Sequence, residues 1–236
     1  MMFSPPRRNL RAELLDLDEA PFEEVRDSLQ DVCRVNRFLS GYRVLLHHIE
    51  DFLRQHSSDQ PFTILDVATG SADQPIAVVE LARRLGIPVK ITAIDINNKM
   101  LKYAREETRN YPEIELVQCD ILALPFQESA FDVVINSLSL HHFTRENAIA
   151  ILRAIYPMGR RGIIINDLHR SRVAYISILI LTRMFTRNRL TRFDAPVSVM
   201  NAFTPKEMKE LATEAGWPRF KVHCHFPYRI ALVAGK

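Results

Sequence analysis

Between Phe62 and Asp167, short apolar runs alternate with stretches of helical periodicity, and each apolar run finishes in Asp or Asn. "FTILDVA" (62–68) predicts a first buried strand with Asp66 near its end. "VKITAID" (89–95) predicts a second ending at Asp95, and "IELVQCD" (114–120) a third ending at Asp120. "FDVVINS" (131–137) and "RGIIIND" (161–167) add a fourth and fifth, with Asn136 and Asp167 at their ends. The segments at 75–86, 97–109 and 145–155 read as helices, with Pro75 in a first turn, Gly86 past a helix end and Asn97 as an N-cap. Continuous apolar strands alternating with helices specify a parallel sheet covered on both faces. Ligands of such sheets bind outside the carboxyl ends of the strands, where these five polar side chains gather.

The flanks extend this frame. Val25, Leu29, Val32, Val35 and Phe38 fall three and four apart, one apolar stripe within a helical region from 22 to 56 that Gly41 divides. After strand five come a helix near 171–187, another from Thr204 to Ala215, and two late strands at 219–225 and 228–234. The expected fold class is therefore α/β, a doubly wound, seven-stranded, mainly parallel sheet. Residues 1–60 form an N-terminal helical extension, and 61–236 a ligand-binding domain that includes an apolar lid helix at 171–187.

With 47% hydrophobic residues in a 236-residue chain, a full core is available. The longest apolar run, Val173 to Leu181, is nine residues including Ser177, against about 20 for a bilayer span. Cys33, Cys119 and Cys224 form no CxxC pair, which points to a reducing compartment, and the location expected is cytoplasmic. Met158 to Arg192 carries eight arginines and one acid, Asp167, around the apolar stretch "VAYISILIL". This pattern fits a lid packed on the sheet edge and a hydrophobic substrate. It also fits transient contact of 171–192 with an anionic membrane surface. The same apolar faces could cover a second copy of the chain as a homodimer.

The loop "LDVATGSADQP" (65–75) follows strand one, where a dinucleotide fold needs GxGxxG against a diphosphate. Here the comparable positions are Ala68, Gly70 and Ala72. Alanine adds a methyl and disfavours positive φ, so a bulky diphosphate is disfavoured and a slim amino-acid end is favoured. Asp66 would favour a cationic group nearby, and the helix opening at Gln74–Pro75 a carboxylate. Asp95 is placed to accept ribose hydroxyls, and Asp120 to accept an adenine amino group.

The chain resembles the class I S-adenosylmethionine-dependent methyltransferases, which have a Rossmann-like fold. The resemblance rests on "ILDVATGSAD", "ITAIDINNKMLKYARE" and "VQCDILALPFQESAFDVVINSLSLHHF", and runs from about Phe62 to Lys236. "NRFLSGYRVLLHHI" (36–49) is similar to the opening segment of the quinone-biosynthesis methyltransferases, which methylate small aromatic rings. The loop alanines and "YPMGRRG" before strand five depart from the usual family pattern. The resemblance implies S-adenosylmethionine as cofactor, with Asp66, Ala68 and Gly70 at its methionine end. It implies Asp95 and Ile96 at the ribose, Met100 beside the nucleoside, Asp120 and Ile121 at the adenine, and Asn136 and Ser137 beneath the sulfonium. Asn36 and Arg43, with Tyr42 beside them, are expected to reach the methionine carboxylate.

A phenol attacking a methyl group must lose its proton, and an imidazole is a suitable acceptor. His141 and His142 after strand four are the first candidates for that base, and His169 after strand five is a third. Many such transfers work mainly by proximity and orientation, without a base. No metal is expected: in "HCH" (223–225) strand alternation puts the two histidines on one face and Cys224 on the other.

The expected function is methyl transfer to a small, largely apolar aromatic acceptor, phenol- or quinol-like, with oxygen favoured over ring carbon. The arginine-rich 158–192 raises nucleic acid as an alternative substrate. Against it, "NSLSLHH" stands where base-amino methylation carries Asn/Asp-Pro-Pro-Tyr, and the arginines do not interleave with exposed aromatics for base stacking. A non-catalytic binding protein on the same fold is the other alternative, prompted by Ala68 and Ala72. A nicotinamide-dependent oxidoreductase is the weakest contender, since two of three loop glycines are missing.

Overall fold

A computed structural model describes residues 5–17 and 19–236. Seven strands form one sheet in the order β3-β2-β1-β4-β5-β7-β6. They are β1 (Phe62–Val67), β2 (Val89–Asp95), β3 (Ile114–Gln118), β4 (Phe131–Ser137), β5 (Gly159–Leu168), β6 (Lys221–His225) and β7 (Arg229–Gly235). The first five run parallel, and β7 lies antiparallel to both β5 and β6. The chain order reverses at β1, so β1 and β4 flank the switch point where doubly wound sheets open a crevice.

Alternation along the strands divides the core. Phe62 and Ile64 of β1, Val133 and Ile135 of β4 and Ile164 of β5 face α2 (Gly41–Arg54) and α3 (Asp73–Leu85). Leu65, Val67, Val134, Ile163 and Ile165 face α5 (Arg145–Ile155) and α8 (Pro205–Glu214). The α2 residues Leu45, Ile49 and Leu53 are fully buried, each contributing about 1.5–3 kcal/mol of hydrophobic burial. Close approach of α2 to β5 requires Gly162, whose absent Cβ would lie 2.5 Å from the Phe52 ring.

Above the carboxyl ends of the strands sits a cap. It comprises the N-terminal segment, α1 (Phe22–Phe38), α6 (Arg172–Phe185) and α7 (Arg189–Asn201). Thr186 and Thr191 both donate to Asp31 of α1, and Asn188 donates to the Glu24 carbonyl. Thus α1 and the α6–α7 pair hold each other. The N-terminal segment runs across this cap: the Leu14 and Leu15 amides donate to Asp194, and the Arg8 guanidinium donates to the carbonyls of Asn201, His141 and Phe143.

Several boundaries differ from the sequence reading. The break between α1 and α2 falls at Leu39 and Ser40, where Ser40 takes φ of 62°, and Gly41 already belongs to α2. Strand β3 stops at Gln118, which leaves Asp120 in the following turn. The single helix expected over 171–187 is shorter, and α7 follows it unforeseen. Pro196 lies inside α7, and the buried face mixes Thr191, Asp194 and Asn201 with Leu190 and Val199, so no clean apolar stripe marks it. Helix α6 buries only Ala174, Ile178 and Thr182. The opposite face, with Val173, Ile176, Ile180, Met184 and Phe185, is exposed.

Candidate active site

The loop after β1 adopts the backbone that glycines would favour, although two alanines occupy it. Ala68, Gly70 and Ala72 have φ of 58°, 58° and 60°. The expectation that alanine would avoid positive φ is overturned. The left-handed conformation costs about 1–2 kcal/mol at each alanine, and the surrounding hydrogen bonds hold it. The Thr69 amide donates to the Ile94 carbonyl, the Ala72 amide to the Thr69 carbonyl, and the Gly70 amide to Asp95 Oδ2 at 2.8 Å. A Cβ on Gly70 would meet no atom within 4 Å, so the backbone there borders open space.

Asp95 therefore braces the loop. Its Oδ1 also accepts the Asn97 amide at 2.8 Å, and burial raises its pKa. Each carboxylate oxygen keeps a second lone pair for a ligand hydroxyl. Asn97 caps α4 (Asn98–Glu107) as expected, accepting from the Lys99 and Met100 amides. Ile96 is exposed beside this turn, while Met100 and Ile121 are buried. Asp120 is exposed and turns its Oδ1 to the Leu122 amide at 2.9 Å.

Asp66 is 1% exposed, and its Oδ2 has no hydrogen-bond partner. Burial pushes its pKa up to about 8, with the nearby Asp73 and Asp95 carboxylates adding to the effect. Among the described residues, the buried side-chain atoms without a partner belong to Asp66, Thr69, Gln74, Asn136, Ser137, Asn166 and Arg229. All seven residues lie along one rim: the ends of β1, β4 and β5, the loop between β1 and α3, the first turn of α3, and the start of β7 beside Leu168. An unpartnered buried polar group costs about 1–3 kcal/mol. Their gathering on one edge marks a place built for polar ligand atoms.

Around the start of α3, where the methionine end was expected, the side chains are arranged differently. Asp73, in the first turn of α3, accepts from Asn36 Nδ2 at 3.1 Å, Tyr42 at 2.9 Å and Ser71 at 3.1 Å. The α3 N-terminus thus already holds a carboxylate of the chain. Arg43, expected to reach the methionine carboxylate, is exposed on α2 and has no ion pair or hydrogen bond among the described residues. The cation at this end is Arg229, which the sequence reading missed. It is 2% exposed, donates to Asn36 Oδ1 at 3.1 Å, and leaves Nη1 unpartnered. Burial lowers its pKa to about 10, opposed by Asp167 and Asp73, and it stays charged at neutral pH.

The histidines behind β4 are also not as expected. His141 Nδ1 contacts Asp167 Oδ1 at 2.6 Å, and Nε2 lies 3.6 Å from Glu13. Burial by itself would lower the His141 pKa, but the two carboxylates outweigh it and lift it to about 10. His142 stacks on His141 with ring centroids 4.4 Å apart and meets Asp16 at 2.7 Å. Its pKa is also raised, burial and His141 being outweighed by Glu13 and Asp16. His141 is thus engaged by Asp167 and Glu13, and His142 by Asp16, contacts that compete with either ring's expected role as the base. Glu13, His141 and His142 offer ligand atoms within 4.8 Å of one another, but each ring is held by an acid in an ion-pair network. His169 is half-buried, and burial with Arg170 lowers its pKa, the opposite direction from His141 and His142.

Residues 64–162 match the methyltransferase domain family. The sheet has the Rossmann-like fold of the class I S-adenosylmethionine-dependent methyltransferases. The ubiquinone/menaquinone biosynthesis C-methyltransferases UbiE of Salmonella arizonae and Salmonella newport are each 36% identical over 103 residues. That alignment covers 42% of the chain and 40% of each relative, so the match spans about two fifths of those proteins. Among solved structures, magnesium protoporphyrin IX methyltransferase of Synechocystis, with bound SAH, superposes with a TM-score of 0.57 at 16% identity, covering 84% of each chain. A SAM-dependent methyltransferase of Aquifex aeolicus gives 0.54 at 17% identity, covering 78% of this chain and 87% of that one. At such identities the structures share the fold. The rim's own residues fit the cofactor: an open approach at Gly70, buried carboxylates at Asp66 and Asp95, and an unpartnered cation at Arg229.

Proposed function

We propose that this protein transfers a methyl group to a small, largely apolar ring acceptor of the quinol or phenol class. The observation that carries the reading is the row of unpartnered buried polar atoms along the rim of β1, β4 and β5. S-adenosylmethionine supplies a methyl group carried on a sulfonium. Asp66 faces the cationic part of the amino-acid end, and Arg229 Nη1 its carboxylate. Asp95, already fixed by the Gly70 and Asn97 amides, accepts ribose hydroxyls with its remaining lone pairs, and Asp120 accepts from the adenine. Asn136 Oδ1 and the Ser137 hydroxyl lie at the end of β4, beside the switch point, where they orient the reacting groups.

Ring carbon is now the preferred acceptor atom over oxygen, because the relatives with the matching sequence are C-methyltransferases by name. A ring carbon that gains a methyl must lose its proton, and His169 after β5, its pKa lowered by burial and Arg170, is the side chain suited to receive it. The quinol-like class is our inference from the quinone-biosynthesis name of the same relatives.

Val173, Ile176, Ile180, Met184 and Phe185 form an exposed stripe on α6, with Met184 70% and Phe185 73% exposed. Arg172, Arg183, Arg187 and Arg189 flank it and are exposed. Such a stripe suits shallow contact with an anionic lipid surface, from which an apolar acceptor would enter. No helix of the described residues is long and apolar enough to cross a membrane.

The test is incubation with methyl-labelled S-adenosylmethionine and a panel of quinols, phenols and resorcinols, with products separated and the labelled atom located by NMR. Label on a ring carbon is expected. Label on oxygen would reverse the atom preference, and label in nucleic acid alone would sink the small-molecule reading.

A further inference from the structure

Alternation along β6 by itself puts His223 and His225 on one face and Cys224 on the other. In the fold, His223 and His225 share the face of β6 that meets α2, and α2 brings His47 and His48 to the same place. The rings of His48 and His223 are centred 4.8 Å apart, those of His48 and His225 5.1 Å, and those of His47 and His225 6.1 Å. The Nε2 atoms of His48 and His225 face each other at 2.9 Å. That contact is the single hydrogen bond of the four rings among the described residues. A cleft beside them is lined by His47, His48, His223 and Asp51.

We propose that this cluster is a binding site for a borderline divalent transition-metal ion, Zn2+ in the first place, anchored by His48 and His225. Two imidazole nitrogens on a tetrahedral zinc, each 2.0–2.1 Å from the metal, stand about 3.3–3.4 Å apart. Opening the present 2.9 Å contact by about half an ångström converts two nitrogens that face each other into two that face an ion. His223 on the same strand face and His47 at the exposed edge are the candidates for a third ligand after a ring rotation. Asp51, one turn beyond His47, is a carboxylate at the cleft.

Such an ion would staple α2 to the β6–β7 hairpin. It would sit at the sheet edge, apart from the rim at the strand ends. The site is independent of the methyl-transfer reading, and its test does not use activity.

The full-length protein, stripped with EDTA and dialysed into non-chelating buffer at pH 7.5, is titrated with ZnCl2 by calorimetry and by thermal unfolding. One-to-one binding at low micromolar concentration or tighter is expected. At 100 times the dissociation constant it should raise the melting temperature by about 5–10 °C. His225→Gln and His223→Gln, both on a partly exposed strand face, should weaken binding at least tenfold while the metal-free protein melts close to wild type. Co2+ should give a visible spectrum without a thiolate charge-transfer band. No binding at 100 µM ZnCl2 would overturn the proposal. So would affinity unchanged in both histidine variants, or affinity lost instead in Cys224→Ser or His142→Gln.

Discussion

The Nδ1 atom of His141 lies 2.6 Å from Oδ1 of Asp167, and Asp167 Oδ2 also accepts the His141 amide at 3.0 Å. Two residues 26 apart in sequence are thus joined at the ends of neighbouring strands, with Glu13 of the N-terminal segment on the other side of the ring. Removing one partner of a buried pair leaves a lone charge, at about 3–5 kcal/mol. His141→Gln should lose roughly that amount in urea unfolding at pH 6. The pH dependence has a definite sign. His141 titrates near 6.5 when unfolded and about 10 when folded, so its stabilisation is complete below about 6.5 and fades as pH rises toward 10. The gap between wild type and His141→Gln should therefore shrink from pH 6 to pH 10. A gap that stays constant over this range would show that the ring is neutral in the folded protein.

Asp66 pulls the other way between fold and site. Its folded pKa of about 8 exceeds the unfolded value of about 3.9. The folded state therefore binds the extra proton, and the residue disfavours folding increasingly from pH 4 to pH 8. Asp66→Asn should raise the melting temperature of the ligand-free protein at pH 8 and leave it nearly unchanged at pH 4. The same change should weaken S-adenosylmethionine binding by tenfold or more, a trade of stability against function of a kind common at binding sites. Binding of a cationic group beside Asp66 should expel its proton at pH 7. Calorimetry in buffers of different ionisation enthalpy should then report release approaching one proton per ligand. Zero release, with wild-type affinity in Asp66→Asn, would remove Asp66 from the site.

The loop alanines make a third case. Ala68 sits at φ of 58° and is only half-buried. Glycine relieves about 1–2 kcal/mol of left-handed strain but adds about 0.4–1 kcal/mol of unfolded-state entropy. Ala68→Gly should therefore be neutral to stabilising by about 1 kcal/mol, whereas Ala→Gly at an ordinary position destabilises. Chemical denaturation decides it: a loss above about 1 kcal/mol would mean that Ala68 is not held at positive φ in solution.

The strand ends were legible because two local signals coincide there. An apolar run must stop at a polar residue, and Asp66, Asp95, Asn136 and Asp167 stop four of the five strands within a residue or so of the observed ends. Asn97 was legible as a cap for the same reason, since one side chain satisfies two amides just ahead of it. The pairing of His141 with Glu13 was hidden because Glu13 lies ahead of the periodic stretch that starts at Phe22. Asp167 raises the pKa of His141 most, and Glu13 adds to it from that distant segment. Helix α7 was hidden by its own polar anchors and by Pro196. The histidine cluster joins α2 to β6, and alternation along β6 shows only half of it.

Arg229 is the sharpest instance of such distance and gives the last test. It stands 193 residues from Asn36, to which it donates, because β7 runs antiparallel and starts where β5 ends. Arg43, by contrast, sits seven residues from Asn36 and was the obvious cation in sequence, yet it is exposed on α2. The two make opposite predictions. Arg43→Ala should leave S-adenosylmethionine affinity within about twofold of wild type, since a solvated charge contributes about 0–1 kcal/mol. Arg229→Lys keeps the charge but cannot reach Asn36 and the ligand with two separate nitrogens, and it should weaken binding by about ten- to a hundredfold, as loss of a hydrogen bond to a charged group costs about 1.5–3 kcal/mol. A competing ligand without a carboxylate, such as methylthioadenosine, should bind wild type and Arg229→Lys equally. If that ligand is weakened as much as S-adenosylmethionine, Arg229 shapes the rim without meeting the carboxylate. If Arg43→Ala gives the larger loss, α2 turns inward when the cofactor binds, and the buried arginine serves the fold alone.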